Sequence, residues 1–320
     1  MKILIADSFP STHSDQLSGM GHQCTINPDL SDSALADAMG EHEVLIVRST
    51  KVTAEIMDQA PDLKLIIRAG AGTNTIDKAY AAEKGIRVCN VPGANSVAVA
   101  ELVMGLILSI DRHLADNAAD LKTQTWNKKK YSKARGLMGQ TIGILGMGAI
   151  GMSVAERAAA FGMPILAVAK SGRNPEFKAK MDKLGIQEVA DVKTLLNQSD
   201  IVTIHLPATD DTKNLVNAEF LNEMKNGATF INTSRGELVD EQALINAMNE
   251  KGIRAGLDVY QNEPGAGDSS FDSELASHSN VCGTHHIGAS TEQAQTAVAD
   301  GVIRVIESYV NDDLIFCVNS

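Results

Sequence analysis

Short apolar runs alternate with helical stretches along most of the chain, in two series separated by a long apolar segment at residues 95–112. The first series consists of residues 3–6, 44–47, 65–67 and 86–89, and the second of 141–145, 165–169, 201–205, 228–231, 254–257 and 281–282. Runs of this length between helices are typical of parallel strands buried on both faces. The pattern therefore predicts an α/β protein with two doubly wound parallel sheets.

Three further segments complete the predicted organisation. Apolar residues recur at helical spacing in 95–112 and in 290–311, which predicts a buried helix in each segment. Residues 314–318 form one more strand-like run. The polar stretch around Trp126 and the basic run 128–130 is typical of a connection between domains.

Composition narrows the class of protein. The 320 residues are 44% hydrophobic and 21% charged, which suffices for two domains of ordinary size. A formal charge of -12 offers no general surface for nucleic acid or an anionic membrane. The longest apolar stretch, 97–110, is too short to cross a bilayer, and the first residues do not resemble a signal peptide. The four cysteines are scattered without a Cys-x-x-Cys pair, so we expect a cytoplasmic protein without a metal site or disulfide framework.

A glycine-rich motif follows the first run of the second series. Gly146, Gly148 and Gly151 stand at the spacing G-x-G-x-x-G between a predicted strand and an alanine-rich helix, with Ala149 and Ile150 inside the motif. The first glycine permits a tight turn, the second lets a pyrophosphate approach the backbone, and the third lets the helix pack closely. The context predicts a dinucleotide site, whereas a purely structural glycine turn is the alternative.

The end of the next predicted strand indicates which dinucleotide is bound. An NAD-selective site places Asp or Glu there to bind the ribose hydroxyls. Here Ala169 is followed by Lys170, Ser171 and Arg173, and no acid occurs before Glu176. These side chains are suited to a 2′-phosphate. We therefore predict NADP over NAD, with a solvated basic turn as the alternative.

Polar residues follow three later strand ends of the second series, at 232–236, 258–264 and 285–288. Ligands of open parallel sheets bind at this edge. In combination and order, these motifs resemble the D-isomer specific 2-hydroxyacid dehydrogenase family over nearly the whole chain. The resemblance rests on residues 146–151, 205–207, 232–240, 257–264 and 286–291.

The resemblance implies a catalytic group of three residues. Arg235 would bind the substrate carboxylate and carbonyl, His286 would exchange a proton, and Glu263 would orient His286. Hydride reduction of a 2-oxo acid develops alkoxide charge, which an imidazolium with a reference pKa of about 6.5 can neutralise. Taken singly, Arg235 is equally compatible with a surface cation, Glu263 with a loop acid, and His286 with a partly buried histidine whose hydrogen bonds are made within the protein. The prediction therefore depends on their joint occurrence.

The resemblance also implies the remaining organisation. A Rossmann dinucleotide-binding domain would span 99–287, and a flavodoxin-like substrate-binding domain would span 1–98 and 288–320. Thr233 and Asp258 would hold the nicotinamide carboxamide. The other cofactor contacts would come from His205, Leu206, Pro207 and Thr212.

The substrate is expected to be a small acid with an anionic distal group. Within the family, the motifs of the first domain are most similar to those of 3-phosphoglycerate dehydrogenases. The residues expected to bind the substrate carboxylate are in the turn after 65–67, at Ala71, Gly72 and Asn74. The cations expected for a distal phosphate are Arg48, Lys51 and Lys128, although lysine runs are often solvated.

Two departures from the family pattern keep other functions open. Ala169 replaces the usual acid, and His285 replaces the usual proline before His286. The first departure is more typical of glyoxylate and hydroxypyruvate reductases, so an NADPH-dependent reductase of those acids is the alternative enzyme. A nucleotide-sensing corepressor or scaffold is the alternative of another class.

The family also suggests an assembly. The helix expected in 95–112 corresponds to a two-fold interface, so a homodimer is predicted, with an intradomain core helix as the alternative. Because the chain ends soon after Leu314, we expect a short form without a C-terminal serine-sensing domain.

Overall fold

The computed structural model describes residues 1–28, 30, 32–264 and 270–319. The chain divides into two compact units, of which unit 1 is Met1–Asn95 with Ala289–Ser320 and unit 2 is Ser96–Gly288. The predicted boundaries after residues 98 and 287 differ from these by three residues and by one residue. The roles assigned to the two domains stay predictions.

Unit 1 is built on a parallel sheet with the strand order β2-β1-β3-β4-β5 in the described residues. Its strands are β1 (Lys2–Ile5), β2 (Gln23–Ile26), β3 (Val44–Val47), β4 (Leu65–Arg68) and β5 (Arg87–Asn90). Its first helices are α1 (Ser11–Gly19), α2 (Asp32–Met39), α3 (Ala54–Asp58) and α4 (Lys78–Glu83). All four side chains of β3 are buried, because helices cover both faces of the sheet.

Unit 2 contains a second parallel sheet, in the order β12-β11-β10-β9-β6-β7-β8. Its strands are β6 (Ile142–Leu145), β7 (Ile165–Val168), β8 (Gln187–Val189), β9 (Ile201–Ile204), β10 (Thr229–Asn232), β11 (Arg254–Leu257) and β12 (Val281–Gly283). Its helices are α5 (Ser96–Arg112), α6 (Leu114–Lys122), α7 (Ala149–Ala160), α8 (Pro175–Lys183), α9 (Val192–Gln198), α10 (Ala218–Glu223), α11 (Glu241–Lys251) and α12 (Glu274–Ser277). The chain then returns to unit 1 as α13 (Glu292–Val310).

The predicted fold class is confirmed. The strand order of unit 1 is flavodoxin-like, and the six strands β8-β7-β6-β9-β10-β11 of unit 2 have the order of a Rossmann fold, to which β12 adds one more edge strand. The buried helices expected in 95–112 and 290–311 correspond to α5 and α13. Within the described residues, no helix has both the length and the apolar character that a membrane crossing requires.

Close packing of α5 on the sheet of unit 2 depends on a glycine. A Cβ atom at Gly256 would lie 2.6 Å from Ile231 Cδ1 and 3.1 Å from Leu106 Cβ. Only a residue without a side chain lets the helix approach β11 this closely.

Three segments differ from the prediction. The edge strands β2 and β8 were not expected, because their sequences Gln-Cys-Thr-Ile and Gln-Glu-Val lack an apolar run. Residues 314–318, predicted to be strand-like, contribute only an isolated bridge between Cys317 and Cys89. The stretch around Trp126 does not connect the units, because it lies within unit 2.

The parallel topology places the candidate residues of unit 2 on one edge. Gly146, His205, Thr233 and Asp258 each come directly after the last residue of β6, β9, β10 and β11. Because the carboxyl ends of parallel strands meet at the same edge of a sheet, these four positions share that edge.

Candidate active site

The glycine-rich turn after β6 has a backbone that other residues cannot adopt. Gly146 has φ of +96°, and a Cβ there would lie 2.2 Å from the carbonyl oxygen of His205. A Cβ at Gly151 would lie 2.2 Å from the Gly146 carbonyl oxygen. Both glycines are therefore required for the turn to bring α7 against the sheet.

The N-terminus of α7 is open to an anion. Gly148 is its N-cap residue and supplies no capping side chain, so the backbone N–H groups of Ala149, Ile150 and Gly151 lack intrahelical acceptors. A Cβ at Gly148 would meet nothing within 4 Å. The open turn, the N–H groups and the helix dipole together fit the pyrophosphate of a dinucleotide.

Two buried polar atoms on the same edge also fit a dinucleotide. Among the described residues, His205 Nδ1 and Thr233 Oγ1 are buried without a hydrogen-bond partner. The other ring nitrogen of His205 lies 3.0 Å from Thr203 Oγ1. Since buried polar groups are almost always paired in proteins, both atoms are suited to a ligand, and both belong to predicted cofactor-binding residues.

The loop after β9 is held by a threonine. Thr212 Oγ1 donates to the carbonyl of Pro207 at 2.7 Å and accepts from the Thr209 amide at 2.8 Å. Leu206 is half-buried against the core, whereas Pro207 is exposed. In this structure Thr212 therefore fixes the loop that carries the other two residues, and the contacts of all three with a cofactor stay predictions.

The basic turn after β7 contains one cation that is already engaged. Lys170 and Ser171 are exposed. Arg173 donates from Nη2 to the Val168 carbonyl at 2.8 Å, and its Nε lies 3.2 Å from Glu188 Oε1. That Nε–H is not aligned for a hydrogen bond, so the contact with Glu188 is an ion pair. The turn thus offers Lys170 and Ser171 directly, and Arg173 only in competition with Glu188.

The predicted pair of His286 and Glu263 is formed within unit 2. His286 Nδ1 lies 2.6 Å from Glu263 Oε2, and the Tyr260 amide donates to Glu263 Oε1 at 2.9 Å. Burial opposes ionisation of Glu263, but these hydrogen bonds and the charge of Arg235 hold the pKa of its carboxyl below the usual range. Glu263 is therefore a carboxylate that accepts a hydrogen bond from Nδ1–H of His286, which leaves Nε2 for exchange with a substrate.

The backbone of His286 is held in an unusual conformation by Asp258. His286 has φ of +52°, in the left-handed region. Its amide donates to the Asp258 carbonyl at 2.8 Å. The Asp258 carboxylate, which is 1% exposed, accepts hydrogen bonds from Thr284 Oγ1 (2.6 Å) and from the amides of Ile287 and Gly288 (both 2.8 Å).

These contacts give Asp258 a role that the sequence did not indicate. Its carboxylate fixes the loop 284–288, which carries His286, the predicted proton-exchanging residue. Its predicted contact with the nicotinamide carboxamide stays a prediction.

Arg235 is brought to Glu263 by a tight turn after β10. The Asn232 side chain accepts from the Ser234 amide at 2.9 Å and donates to the Arg235 carbonyl at 2.8 Å. A Cβ at Gly236 would lie 2.0 Å from the Tyr260 carbonyl oxygen, so the two loops are in direct contact. Unit 2 therefore contains all three predicted catalytic residues in one group.

The candidate substrate residues of unit 1 follow β3 and β4. The amides of Arg48, Ser49 and Thr50 all donate to Asp7 Oδ2, at 2.6, 3.1 and 3.2 Å. This carboxylate fixes the loop from which the Arg48 and Lys51 side chains emerge.

The turn after β4 is also well defined. The Asn90 side chain donates to the Ala71 carbonyl at 2.5 Å, and Gly72 is half-buried while Asn74 is exposed. Gly70 has φ of +144°, and the Arg68 guanidinium occupies the space of a Cβ there. The predicted residues of unit 1 therefore lie at the carboxyl edge of its sheet.

Lys128 belongs to unit 2, whereas Arg48 and Lys51 belong to unit 1. It is exposed in a turn after α6, where its neighbour Lys130 pairs with Asp120 at 2.9 Å. Its predicted contact with a substrate phosphate stays a prediction.

Sequence reasoning missed four residues of these sites. Asp7 and Arg68 act on the loops of unit 1, Glu188 pairs with Arg173, and Thr284 binds Asp258. Arg68 carried a signal, since an arginine ends a buried strand directly before a Gly-Ala-Gly turn. Glu188 carried none, because it lies on an edge strand without an apolar pattern.

The fold and the glycine-rich edge of unit 2 define a dinucleotide-binding α/β protein. Residues 104–288 match the family model described as D-isomer specific 2-hydroxyacid dehydrogenase, NAD binding domain. The chain belongs to the D-isomer specific 2-hydroxyacid dehydrogenase family, a family of NAD(P)-dependent enzymes, and unit 2 carries its nicotinamide-dinucleotide domain.

Curated relatives include two kinds of enzyme. The chain is 38% identical over 317 residues to the D-3-phosphoglycerate dehydrogenase of Methanocaldococcus jannaschii, which covers 98% of this chain and 58% of that protein. It is 42% identical over 279 residues to the hydroxypyruvate reductase of Thermotoga maritima, which covers 87% of this chain and 88% of that protein. The chain thus spans little more than half the length of the first relative.

Solved structures with the same architecture hold different cofactors. An acyclic imino acid reductase in complex with NADPH and D-Arg has a TM-score of 0.86 and 28% identity, over 99% of this chain and 100% of that one. The D-lactate dehydrogenase of Aquifex aeolicus, complexed with NAD and lactic acid, has a TM-score of 0.82 and 27% identity, over 100% of this chain and 99% of that one.

The burial of His205 predicts a pH-dependent stability. Burial lowers the pKa of His205 to about 4, whereas an unperturbed histidine has a pKa of about 6.5. Between these values the unfolded chain binds a proton at His205 and the folded chain does not, so stability falls as the pH falls. We expect this residue to account for a loss of as much as about 3 kcal/mol from about pH 7 to about pH 4. Urea unfolding of the wild type and of His205→Gln over this range measures the difference.

The exposed His285 provides the matched control. His285→Asn should keep the wild-type pH dependence, whereas His205→Gln should lack the contribution of the buried imidazole. Parallel stability curves for the wild type and His205→Gln would contradict the burial of a neutral imidazole.

Proposed function

We propose that the protein is a cytoplasmic, homodimeric D-2-hydroxyacid dehydrogenase that prefers NADP and interconverts 3-phosphoglycerate and phosphohydroxypyruvate, or a similar acid with an anionic distal group. The observation that carries the proposed activity is the group of Arg235, Glu263 and His286. The bound nicotinamide would supply or take up the hydride, and the chain would supply the proton and the charge complementarity.

His286 is the proposed proton donor for reduction and the acceptor for oxidation. Because Nδ1 is held by Glu263 at 2.6 Å, Nε2 is the nitrogen that exchanges a proton with the substrate oxygen. The carboxylate of Glu263 also fixes the orientation of the ring through its hydrogen bond with Nδ1. Neutralising the developing alkoxide within hydrogen-bond reach is general acid catalysis.

Arg235 is the proposed binding residue for the reacting end of the substrate. Its guanidinium is planar and matches the two oxygens of a carboxylate. The contact of Gly236 with the Tyr260 carbonyl keeps this side chain beside Glu263 and therefore beside the proton donor.

Unit 1 is proposed to bind the anionic distal group. Asp7 fixes the amides of residues 48–50, so the Arg48 and Lys51 side chains emerge from a rigid loop rather than from a mobile one. Two cations on a fixed loop favour a phosphate. The backbone N–H groups of Ala71 and Gly72 are proposed to bind the substrate carboxylate.

The NADP preference rests on the basic turn after β7. Lys170 and Ser171 are exposed there, and no carboxylate stands at Ala169 to repel a 2′-phosphate. Glu188 opposes this preference, because it lies 3.2 Å from Arg173 and neutralises one of the cations. We therefore infer a preference for NADPH that is weaker than it would be if Arg173 were as available to the cofactor as Lys170 and Ser171.

The alternative acid substrates are hydroxypyruvate and glyoxylate. The observation that favours them is the Thermotoga maritima relative, a hydroxypyruvate reductase that aligns over 88% of its own length. With either of these substrates, no phosphate is present for Arg48 and Lys51 to bind.

The first prediction separates the catalytic residue from the positioning residue. We expect His286→Asn to lower kcat roughly a hundredfold to ten-thousandfold, because the proton donor is lost, without weakening NADPH binding. We expect Glu263→Gln to lower kcat less and to leave KM for the 2-oxo acid near the wild-type value, because the ring loses its carboxylate partner while Arg235 still binds the substrate. Stopped-flow rates and fluorescence titration measure both effects.

The control is again His285→Asn, which changes the neighbouring exposed histidine. It should keep the wild-type kcat. A His286→Asn enzyme with near-wild-type turnover would remove the catalytic assignment, and equal losses in kcat and in substrate binding in Glu263→Gln would leave Glu263 as a structural residue only. Cofactor binding at full stoichiometry without turnover on any 2-oxo acid would favour the nucleotide sensor instead.

The second prediction concerns substrate and cofactor together. Initial rates with NADPH and NADH, each against phosphohydroxypyruvate, hydroxypyruvate and glyoxylate, should give the highest kcat/KM for NADPH with phosphohydroxypyruvate. Lys51→Ala should reduce kcat/KM for that acid by about tenfold, a typical loss for one charge-assisted contact, and spare glyoxylate. A preference for the unphosphorylated acids would make the protein a reductase of those acids.

Two variants test the cofactor argument in the same assay. Lys170→Ala should weaken the binding of NADPH and leave the binding of NADH unchanged. Glu188→Gln should improve NADPH alone, because Arg173 is released and a repelling charge is removed. The matched control is Glu176→Gln, which removes an exposed acid in the first turn of α8. Equal responses of NADPH and NADH to Lys170→Ala would end the argument for NADP.

The third prediction concerns the proposed dimer. The outer face of α5 carries Val97, 36% exposed, and the half-buried Leu108. Apolar residues on such a face favour a two-fold interface. We expect light scattering to report a dimer, and Val97→Asp to shift it towards monomer. Val310→Asp, at an exposed apolar residue of α13, should leave the dimer intact, and a monomeric wild type would contradict the proposal.

A further inference from the structure

The outer edge of the sheet in unit 1 is covered by the segment that follows α13. The Asn90 amide donates to the Phe316 carbonyl at 3.2 Å, and the Val318 amide donates to the Val88 carbonyl at 2.8 Å. These two hydrogen bonds flank an antiparallel bridge between Cys89 and Cys317. The bridge brings together two cysteines that lie far apart in the sequence.

The hydrogen-bond pattern fixes the kind of pair that the cysteines form. The bonds connect the residues on either side of Cys89 and Cys317, and neither cysteine bonds directly to the other through its backbone. This is the non-hydrogen-bonded pair of an antiparallel ladder, in which the Cα atoms lie about 4.5 Å apart and the side chains are close. A disulfide requires a Cα separation of about 4.4–6.8 Å. The backbone is therefore already compatible with a disulfide.

The two cysteine side chains lie on the same face of the ladder, because directly opposed residues of an antiparallel pair point to the same side. Both cysteines are free thiols. Burial, followed by the contact and hydrogen bond with Cys317, raises the pKa of the Cys89 thiol to about 12. The thiols therefore face each other on the same side of the bridge.

Asn319 holds the segment in register with β5. Its Oδ1 accepts from the Val88 amide at 2.8 Å, and its Nδ2 donates to the Ile86 carbonyl at 2.8 Å. Cys317 Sγ lies 3.5 Å from the same Oδ1. The position of Cys317 against Cys89 is thus fixed by contacts on both sides of the bridge.

The two thiols differ in access to solvent. Cys89 is fully buried in the core of unit 1, whereas Cys317 is half-buried at its edge. A reagent in solution reaches Cys317 first, and the Cys89 sulfur then meets only the modified Cys317. Because of this difference, Cys89 is expected to react with the modified Cys317 by thiol–disulfide exchange rather than with the reagent itself.

We propose that Cys89 and Cys317 form an oxidisable dithiol, which a small-molecule disulfide such as oxidised glutathione converts into an intrachain disulfide. The Cys317 thiolate attacks one sulfur of the reagent and releases one glutathione thiolate, giving a mixed disulfide. The Cys89 thiolate then attacks Cys317 Sγ and releases the second glutathione. Two electrons pass from the protein to the reagent, and the two thiol protons end on two glutathione molecules.

The disulfide encloses a large part of the chain. It links β5 to the segment after α13, so the closed loop comprises residues 90–316 and includes all of unit 2. Cross-linking so long a loop restricts the unfolded chain and stabilises the fold that contains it. Oxidation should therefore raise the thermal midpoint and slow amide exchange at Val318 and Asn90.

The test incubates the full chain with oxidised glutathione and maps its peptides without reduction. The expected result is a linked pair of peptides containing Cys89 and Cys317, with a mass loss of two hydrogens. A mixed disulfide that persists on Cys317 while Cys89 stays reduced would overturn the proposal. Four unmodified thiols in the folded chain would also overturn it, provided that the unfolded chain reacts under the same conditions.

Three variants separate the dithiol from general thiol reactivity. Cys317→Ser should abolish the link and leave Cys89 unmodified, since Cys89 is reached only through Cys317. Cys89→Ser should accumulate the mixed disulfide on Cys317. Cys24→Ser, which changes a half-buried cysteine on the other edge of the same sheet, should form the link at the wild-type rate. Because Cys317 lies at the edge of the fold, its variant keeps the test valid even where Cys89→Ser folds poorly.

Discussion

A buried carboxylate holds the loop that carries His286, the proposed catalytic residue. Asp258 is almost fully buried, and an ionised carboxyl in such a place is costly unless hydrogen bonds replace its water. Thr284, Ile287 and Gly288 provide those hydrogen bonds from one loop. The same loop is thereby forced to carry His286 in a left-handed backbone conformation, directed at Glu263. A substitution that removed the Asp258 carboxylate would therefore release the histidine as well as destabilise the fold.

The polar groups at the edge of this sheet fall into two kinds. Asp258, Asn232 and Thr212 have their side-chain atoms bound to backbone groups, and they set the shape of loops. His205 Nδ1 and Thr233 Oγ1 are buried without partners. An unpaired buried polar atom costs free energy. For atoms of the second kind, a bound ligand that forms the missing hydrogen bond would remove this cost. This distinction separates positioning residues from binding residues without reference to any relative.

The sequence predicts the parts of the fold that are governed by burial on both faces. Val44–Val47 and Ile201–Ile204 are continuous apolar runs, and both are central strands. The edge strands β2 and β8 were missed, because an edge faces solvent and tolerates Gln, Thr and Glu. The glycine turn could be predicted because its backbone requires glycine at particular places, whereas the roles of Arg235, Glu263 and His286 come from the family resemblance and stay predictions.

The partners of those residues were harder to predict, because nonlocal pairing leaves no pattern in one sequence. Cys89 and Cys317 meet only through the return of the chain after α13, and Asp258 shows its role only through the loop at 284–288. Glu188 illustrates the consequence for function. A basic turn read in isolation indicates a full set of cations for a 2′-phosphate, but the neighbouring edge strand places a carboxylate against Arg173. The proposed preference for NADP would therefore depend on the difference between the attraction of Lys170 and the repulsion of Glu188, and a substitution of either residue should change it.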